Sequence, residues 1–216
     1  MPEIQDVYAS LDELKLHMTE GVDFVVELID RGSDVTVLSP HGGFIEAGTS
    51  ALACAIADTD FNFYDFRGLL EDDPFQLHVT STKFEDQVLS SLLYRSTIAI
   101  SVHGMGKTDI WAIWLGGLNR DLKVSIGLSL LANGFIVNFT PPRYKGEHEK
   151  NIVNYPQNAG VQLELPDTLV DALFEDKVRF SIESEPRLTE LGNRFITAVR
   201  RGVLMMQPGK LLPKPD

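Results

Sequence analysis

The residues of this sequence best suited to chemistry are two histidines and two glutamates. His41 follows the apolar run 35–38 and opens a glycine-rich stretch, and Glu46 lies shortly after it. His103 ends a second apolar run, 97–102, and is also followed by a glycine. Neutral imidazole and carboxylate are ligands of zinc, and a catalytic zinc site keeps one coordination position open. We therefore predict that His41, Glu46 and His103 bind one Zn²⁺ ion.

The second glutamate, Glu164, is the best candidate for a general base. It lies in the alternating run 161–165, where it shares one face with Gln162 while the apolar residues occupy the other face. A carboxylate beside a metal-activated water can take a proton from it and pass that proton to the leaving amine. The alternative is an exposed position on an edge strand, where a glutamate would simply be solvated.

Four further residues are candidates for binding the substrate, namely His78, Lys83, Arg143 and Asn154. An arginine can hold a substrate carboxylate through two parallel hydrogen bonds. Each of the four also has a structural alternative, because histidines at strand ends are often hydrogen-bonded within the fold, charged loop residues are often only solvated, and asparagines form turns.

The elements that carry these residues are predicted to be strands that alternate with helices. Strands are predicted at 22–28, 35–38, 61–66, 77–80, 97–102, 109–115, 135–139 and 161–165. Helices are predicted at 11–19, 51–57, 83–94, 119–133, from 166 onward, and at 189–201. The first two strands flank a turn at 30–33 and are predicted to form a hairpin.

This alternation predicts a single α/β domain over residues 1–206, with a mixed, mostly parallel sheet flanked by helices. Residues 207–216 contain three prolines and are predicted to form a flexible C-terminal tail. If the strands 35–38 and 97–102 are parallel neighbours, both histidines lie at the sheet edge where open α/β sheets bind ligands.

The overall composition excludes several classes of protein. The 19 basic and 31 acidic residues give a net charge of −12, which argues against nucleic acid or an anionic membrane as a partner. The acidic start of the chain does not have the composition of a secretory signal, and no apolar run approaches the ~18 residues of a membrane span. We expect a soluble protein that is synthesised in the cytoplasm, compatible with release by cell lysis. The oligomeric state stays open.

Several motifs in this order resemble those of the phage-type poly-γ-glutamate hydrolases, a family similar to zinc carboxypeptidases. The motifs are His41-Gly42-Gly43, Ile45-Glu46, Gly48-Thr49-Ser50, Leu77-His78-Val79-Thr80-Ser81, Val102-His103-Gly104, Gly116-Gly117-Leu118, Asn151-Ile152-Val153-Asn154 and Gly160-Val161-Gln162-Leu163-Glu164-Leu165. The resemblance implies a zinc carboxypeptidase-like fold. It also implies that His41, Glu46 and His103 bind zinc and that Glu164 is the general base. The implied reaction is hydrolysis of γ-glutamyl amide bonds by a metal-activated water, with poly-γ-glutamate or a related γ-glutamyl chain as substrate.

Two alternatives stay open. The net charge of −12 would repel a polyanion unless the cleft is locally positive, which favours the first of them. The first is a peptidase or N-acyl-amino-acid amidohydrolase that acts on another carboxylate-bearing amide. The second belongs to a different class and is a non-catalytic metal- or ligand-binding domain. Phe44 and Ala47 stand where the family pattern has smaller or more rigid residues, so the loop beside the metal site is expected to differ in shape.

Overall fold

A computed structural model describes residues 6–108, 110–175 and 187–206. Over these residues, seven strands form one sheet: β1 (Phe24–Ile29), β2 (Val35–Gly43), β3 (Asn62–Gly68), β4 (Ile98–Gly104), β5 (Ala112–Gly116), β6 (Ile136–Asn138) and β7 (Gly160–Leu165). Six α-helices flank the sheet: α1 (Leu11–His17), α2 (Thr49–Ala57), α3 (Gln87–Arg95), α4 (Arg120–Ala132), α5 (Asp167–Leu173) and α6 (Glu190–Leu204). The predicted tail 207–216 lies outside the described residues.

The strand order is β1-β3-β2-β4-β7-β5-β6. The four central strands β3, β2, β4 and β7 run parallel to one another, whereas β1 and β5 are antiparallel to their neighbours β3 and β7. The predicted mixed, mostly parallel sheet is therefore confirmed. Central parallel strands are covered on both faces, which explains why β4 is a nearly continuous apolar run.

Successive residues of a strand point to opposite faces, so each central strand contributes to two apolar cores. Val37 packs into a first core with the helices α2, α4, α5 and α6, and Leu38 packs into a second core with α1 and α3. Asn119 begins α4 as predicted, because its side chain accepts a hydrogen bond from the backbone N–H of Leu122 at 2.9 Å. Ser10 begins α1 in the same way, through the N–H of Glu13.

The predicted hairpin between the first two strands is wrong. β1 pairs with β3, and β2 lies between β3 and β4. The burial pattern gives the reason: eight of the nine β2 residues are buried, whereas five of the six β1 residues are only partly buried. A half-exposed strand suits the edge of the sheet, and a strand that is buried along nearly its whole length needs a neighbour on each side.

The predicted strand at 77–80 is also wrong. Residues Pro74–Leu77 form a short 3₁₀ helix, and the segment that follows pairs with no strand of the sheet. Its backbone groups bind side chains instead: the Val79 carbonyl contacts His41, and the Thr80 N–H donates to Asp6. These contacts satisfy the polar backbone in place of a strand partner.

Within the described part of the chain, no helix is both long enough and apolar enough to cross a membrane.

Candidate metal centre

The two predicted histidine ligands lie at the carboxyl ends of adjacent parallel strands. His41 is near the end of β2, and His103 is near the end of β4. Glu46 follows β2 in a turn that is closed by the hydrogen bond from its backbone N–H to the carbonyl of His41, at 2.8 Å. This turn brings the glutamate back over the sheet edge, so the three side chains meet.

The donor atoms of these three residues converge at distances that fit one zinc ion. His41 Nδ1 is 2.9 Å from Glu46 Oε1 and 3.2 Å from His103 Nδ1, and His103 Nδ1 is 3.4 Å from Glu46 Oε2. Zinc–ligand bonds of about 2.0–2.1 Å place neighbouring ligands of a tetrahedral site roughly 3.3 Å apart. The set is one carboxylate and two imidazoles, which is the donor chemistry that zinc accepts.

The hydrogen bonds behind His41 fix which of its nitrogens is free. Its Nε2 lies 2.9 Å from the backbone carbonyl of Val79. A carbonyl only accepts hydrogen bonds, so a neutral His41 ring that keeps this bond carries its proton on Nε2 and leaves the lone pair of Nδ1 for a metal ion. His103 also directs Nδ1 into the cluster, and its buried Nε2 has no hydrogen-bond partner among the described residues.

Electrostatics keep Glu46 ionised. Burial acts to raise the pKa of this carboxyl, but when His41 and His103 are protonated their positive charge and hydrogen bonds outweigh burial and lower the pKa below its usual range. The backbone N–H of Gly104 also donates to Glu46 Oε2 at 2.9 Å. A carboxylate held in its charged form is a suitable ligand for a divalent cation.

His78 provides a second combination of donors. Its ring centroid is 4.2 Å from that of His41, and one donor atom from each of His41, Glu46 and His78 lies within 4.8 Å of the others. In the set with His103, the three donor-atom pairs are all 3.4 Å or less apart. In addition, His78 Nδ1 is 2.8 Å from Asp6 Oδ1, so only its Nε2 is free to face the site. Burial, together with the charge of His41, lowers the pKa of His78 to about 4, so its ring is neutral at neutral pH.

Glu164 lies on β7, directly opposite His103 in the pairing of β4 with β7. β7 is an interior strand and Glu164 is only 4% exposed, so the alternative of an exposed edge position is wrong. Burial, and then the negative charge of Glu46, raise the pKa of Glu164 well above its usual range. A hydrogen bond from Gln162 and the charge of Arg143 offset part of this rise. A buried carboxyl with a raised pKa is the usual profile of a group that exchanges protons during a reaction.

Arg143 lies at the exposed rim of the site. Its guanidinium carbon is 5.8 Å from the ring centre of Trp114 and 5.0 Å from that of Tyr144. Trp114 is the β5 neighbour of Glu164, and the charge of Arg143 acts on the carboxyl of Glu164. An exposed arginine that packs beside two aromatic rings at the rim has its N–H groups available for an anionic ligand.

The other two predicted substrate residues lie outside the cluster. Lys83 is half-exposed and pairs with Asp6 at 3.3 Å. Asn154 uses its side-chain oxygen for the N–H of Leu118 and its side-chain nitrogen for the carbonyls of Gly146 and His148. These bonds occupy the amide of Asn154 and hold the loop that precedes β7.

Two residues beside the site have roles that the sequence did not reveal. Asp6 holds His78 from 72 positions away, and no local pattern signals such a contact. Gln162 donates a hydrogen bond to Glu164 Oε1 at 2.6 Å. The period of the strand places Gln162 on the same face as Glu164, which was the one available signal for this contact.

Comparison with known proteins identifies a family and relatives that are similar to this chain. A family model described as poly-gamma-glutamate hydrolase matches residues 8–198. The SPbeta prophage-derived UPF0714 protein YoqZ of Bacillus subtilis (strain 168) is 31% identical over 199 residues, which is 91% of this chain and 65% of YoqZ. The chain thus spans just under two thirds of the length of that relative.

Two solved structures are similar over nearly their whole length. A bacteriophage poly-gamma-glutamate hydrolase superposes with a TM-score of 0.88 at 28% identity, covering 94% of this chain and 99% of the other. A zinc-free apo form of YndL superposes with a TM-score of 0.83 at 29% identity, covering 93% and 98%.

Proposed function

The chain belongs to the poly-γ-glutamate hydrolase family, and from this membership we propose that it is a zinc-dependent hydrolase of γ-glutamyl amide bonds. The observation that carries the proposal is the convergence of His41 Nδ1, Glu46 and His103 Nδ1 within 3.4 Å of one another, beside the buried carboxyl of Glu164. The related YndL is described in a zinc-free form, which supports zinc as the metal.

His41, Glu46 and His103 would hold one zinc ion. When bound, zinc supplies Lewis-acid chemistry that polarises the substrate carbonyl and makes water more acidic. The carbonyl of Val79 keeps the proton of His41 on Nε2, and the N–H of Gly104 holds one oxygen of Glu46. These contacts fix both side chains before any ligand arrives, so little reorganisation is needed on binding.

Glu164 is proposed to move the proton. Its carboxylate takes a proton from the attacking water and gives it to the nitrogen of the leaving γ-glutamyl unit, which departs as a neutral amine. The raised pKa of Glu164 suits this role, because a more basic carboxylate takes a proton from water more readily.

Arg143 is proposed to bind a carboxylate of the substrate. Each residue of a γ-linked glutamate chain keeps a free α-carboxylate, and a guanidinium can bind that group through two parallel hydrogen bonds. The rings of Trp114 and Tyr144 beside Arg143 limit its motion, which reduces the entropy lost on binding. His78, Lys83 and Asn154 stay predictions as further substrate contacts.

One observation favours a different substrate for the same chemistry. The net charge of −12 opposes the approach of a long polyanion, and a short amide with a single carboxylate would meet less repulsion. A peptidase or N-acyl-amino-acid amidohydrolase is therefore the second candidate. Synthesis in the cytoplasm, with release by cell lysis, stays a prediction.

The test measures zinc content and the release of amine groups from γ-glutamyl oligomers of increasing length. We expect about one zinc per chain, hydrolysis that a chelator abolishes, and a loss of about 10²-fold or more in kcat for Glu164→Gln. Glu190→Gln, at the exposed start of α6, is the matched control and should retain full activity.

Each alternative has its own outcome in this experiment. Hydrolysis that is restricted to short acyl amides would identify the second candidate. Stoichiometric zinc without hydrolysis of any amide would identify a non-catalytic binding domain. Hydrolysis at the wild-type rate by Glu164→Gln would remove Glu164 as the base.

A further inference from the structure

Gln162 lies beside Glu164 on β7 and is almost completely buried, with 5% of its surface exposed. Its side-chain nitrogen donates to Glu164 Oε1 at 2.6 Å and also reaches the carbonyl of Tyr144 at 3.4 Å. Its side-chain oxygen accepts from Asn151 Nδ2 at 2.9 Å. A buried amide with both of its ends hydrogen-bonded has one strongly preferred orientation.

A backbone group sets the direction of this chain of hydrogen bonds. The N–H of Val153 donates to Asn151 Oδ1 at 3.2 Å, and a backbone N–H can only donate. The nitrogen of Asn151 therefore faces the oxygen of Gln162, and the nitrogen of Gln162 in turn faces Glu164. The side-chain orientations follow from this fixed donor.

The neighbouring backbone leaves Gln162 little room to move. A Cβ atom at Gly146 would lie 2.8 Å from Gln162 Oε1, so this position accepts only glycine without displacing the amide. Gly146 also has a φ of +60°, a backbone conformation that favours glycine.

We propose that Gln162, oriented by Asn151, is a positioning residue for the general base. It holds Oε1 of Glu164 through one hydrogen bond, so that Oε2 is the oxygen that exchanges protons with water and with the leaving amine. This inference rests on the proposed function, because it assigns a different role to each of the two carboxylate oxygens of the proposed base. It predicts that Gln162 acts on turnover rather than on substrate affinity.

Two substitutions test the role of the donated hydrogen bond. Gln162→Met roughly keeps the size of the side chain but removes both of its hydrogen-bonding ends, and Gln162→Leu also shortens the side chain. For both variants we expect kcat to fall about 10- to 100-fold, because small displacements of a catalytic group cost rates of this order, with little change in KM.

Asn62→Leu is the matched control. Asn62 is an equally buried amide with several hydrogen bonds, but it begins β3 at the opposite edge of the sheet. Its replacement should lower the melting temperature and leave kcat unchanged. If the Gln162 variants lose melting temperature in the same way and keep the wild-type kcat, Gln162 is only structural and the inference is overturned.

A structural measurement decides the inference independently of activity. In zinc-loaded crystals of Gln162→Met, we expect the carboxylate of Glu164 to leave the position that it has in the wild type. An unchanged Glu164 would overturn the inference, even if kcat falls. If the wild type hydrolyses no γ-glutamyl amide, the proposed function fails, while the comparison of the two crystal structures still decides whether Gln162 positions Glu164.

Discussion

Replacing Asp65 by asparagine is expected to change how the stability of the protein depends on pH. Asp65 lies on β3 and is completely buried. Its Oδ1 accepts from Ser50 Oγ at 2.9 Å, and its Oδ2 accepts from Arg67 Nε at 3.0 Å. Ser50 Oγ also accepts from the N–H of Gly43, two residues after His41, so Asp65 supports the loop of the metal centre.

The magnitude follows from the pKa of Asp65. Burial raises it from 3.8 to about 6, against the opposing effects of Arg67 and Ser50. The folded protein therefore binds this proton more tightly than the unfolded chain does. The stability that this tighter proton binding provides is complete below about pH 4 and is lost as the pH rises from there through about 6. The difference in pKa corresponds to roughly 3 kcal/mol of unfolding free energy.

The assay is denaturant unfolding of the wild type and Asp65→Asn between pH 4 and pH 8. Asparagine cannot ionise, so the variant avoids this loss, and its stability relative to the wild type should rise by roughly 3 kcal/mol across the range. Other groups titrate in both proteins and cancel in the difference. Asp72→Asn, which removes an exposed carboxylate, controls for the loss of one negative charge. A difference between Asp65→Asn and the wild type that stays constant with pH would refute the reasoning.

Three further predictions concern the site. His41→Ala and His103→Ala should each lose bound zinc in metal analysis of the purified protein, and full retention in either variant would contradict the three-ligand set. Arg143→Ala should raise KM for γ-glutamyl oligomers about 10-fold with little change in kcat, whereas an unchanged KM would remove Arg143 from the substrate contacts. Gly42→Ala should fold poorly or unfold at a much lower temperature, because a Cβ atom at this position overlaps the carboxylate of Asp65. A melting temperature equal to that of the wild type would contradict this prediction.

Much of the fold could be predicted from the sequence, because the signals are local. Continuous β-branched and apolar runs identified the central strands, and Ser10 and Asn119 marked the starts of two helices. The prediction of which strands pair with each other was less successful. The segment 24–29 is adjacent in sequence to β2, yet it pairs with β3, because pairing follows the burial of whole strands and not their order along the chain.

The candidate site also has features that the sequence predicts and features that only the structure reveals. The sequence by itself determined the residue types of the centre, because His41 and His103 each end an apolar strand and such strands deliver their carboxyl ends to a common edge. Glu46 followed from its place directly after that edge. The positions of these three residues follow from the spacing of apolar residues and from the lengths of the strands, and both can be read from the sequence.

Only the tertiary structure decided how those groups are held and tuned. Two of the contacts that hold these groups join segments that are distant in sequence, namely Asp6 with His78 and the carbonyl of Val79 with His41. The hydrogen bond from Gln162 to Glu164 depends instead on how neighbouring groups orient the amide of Gln162. Burial then raises the pKa of Glu164. These effects depend on which side chains lie close together in the fold and on how far water is excluded from them. Neither can be predicted from a local sequence pattern.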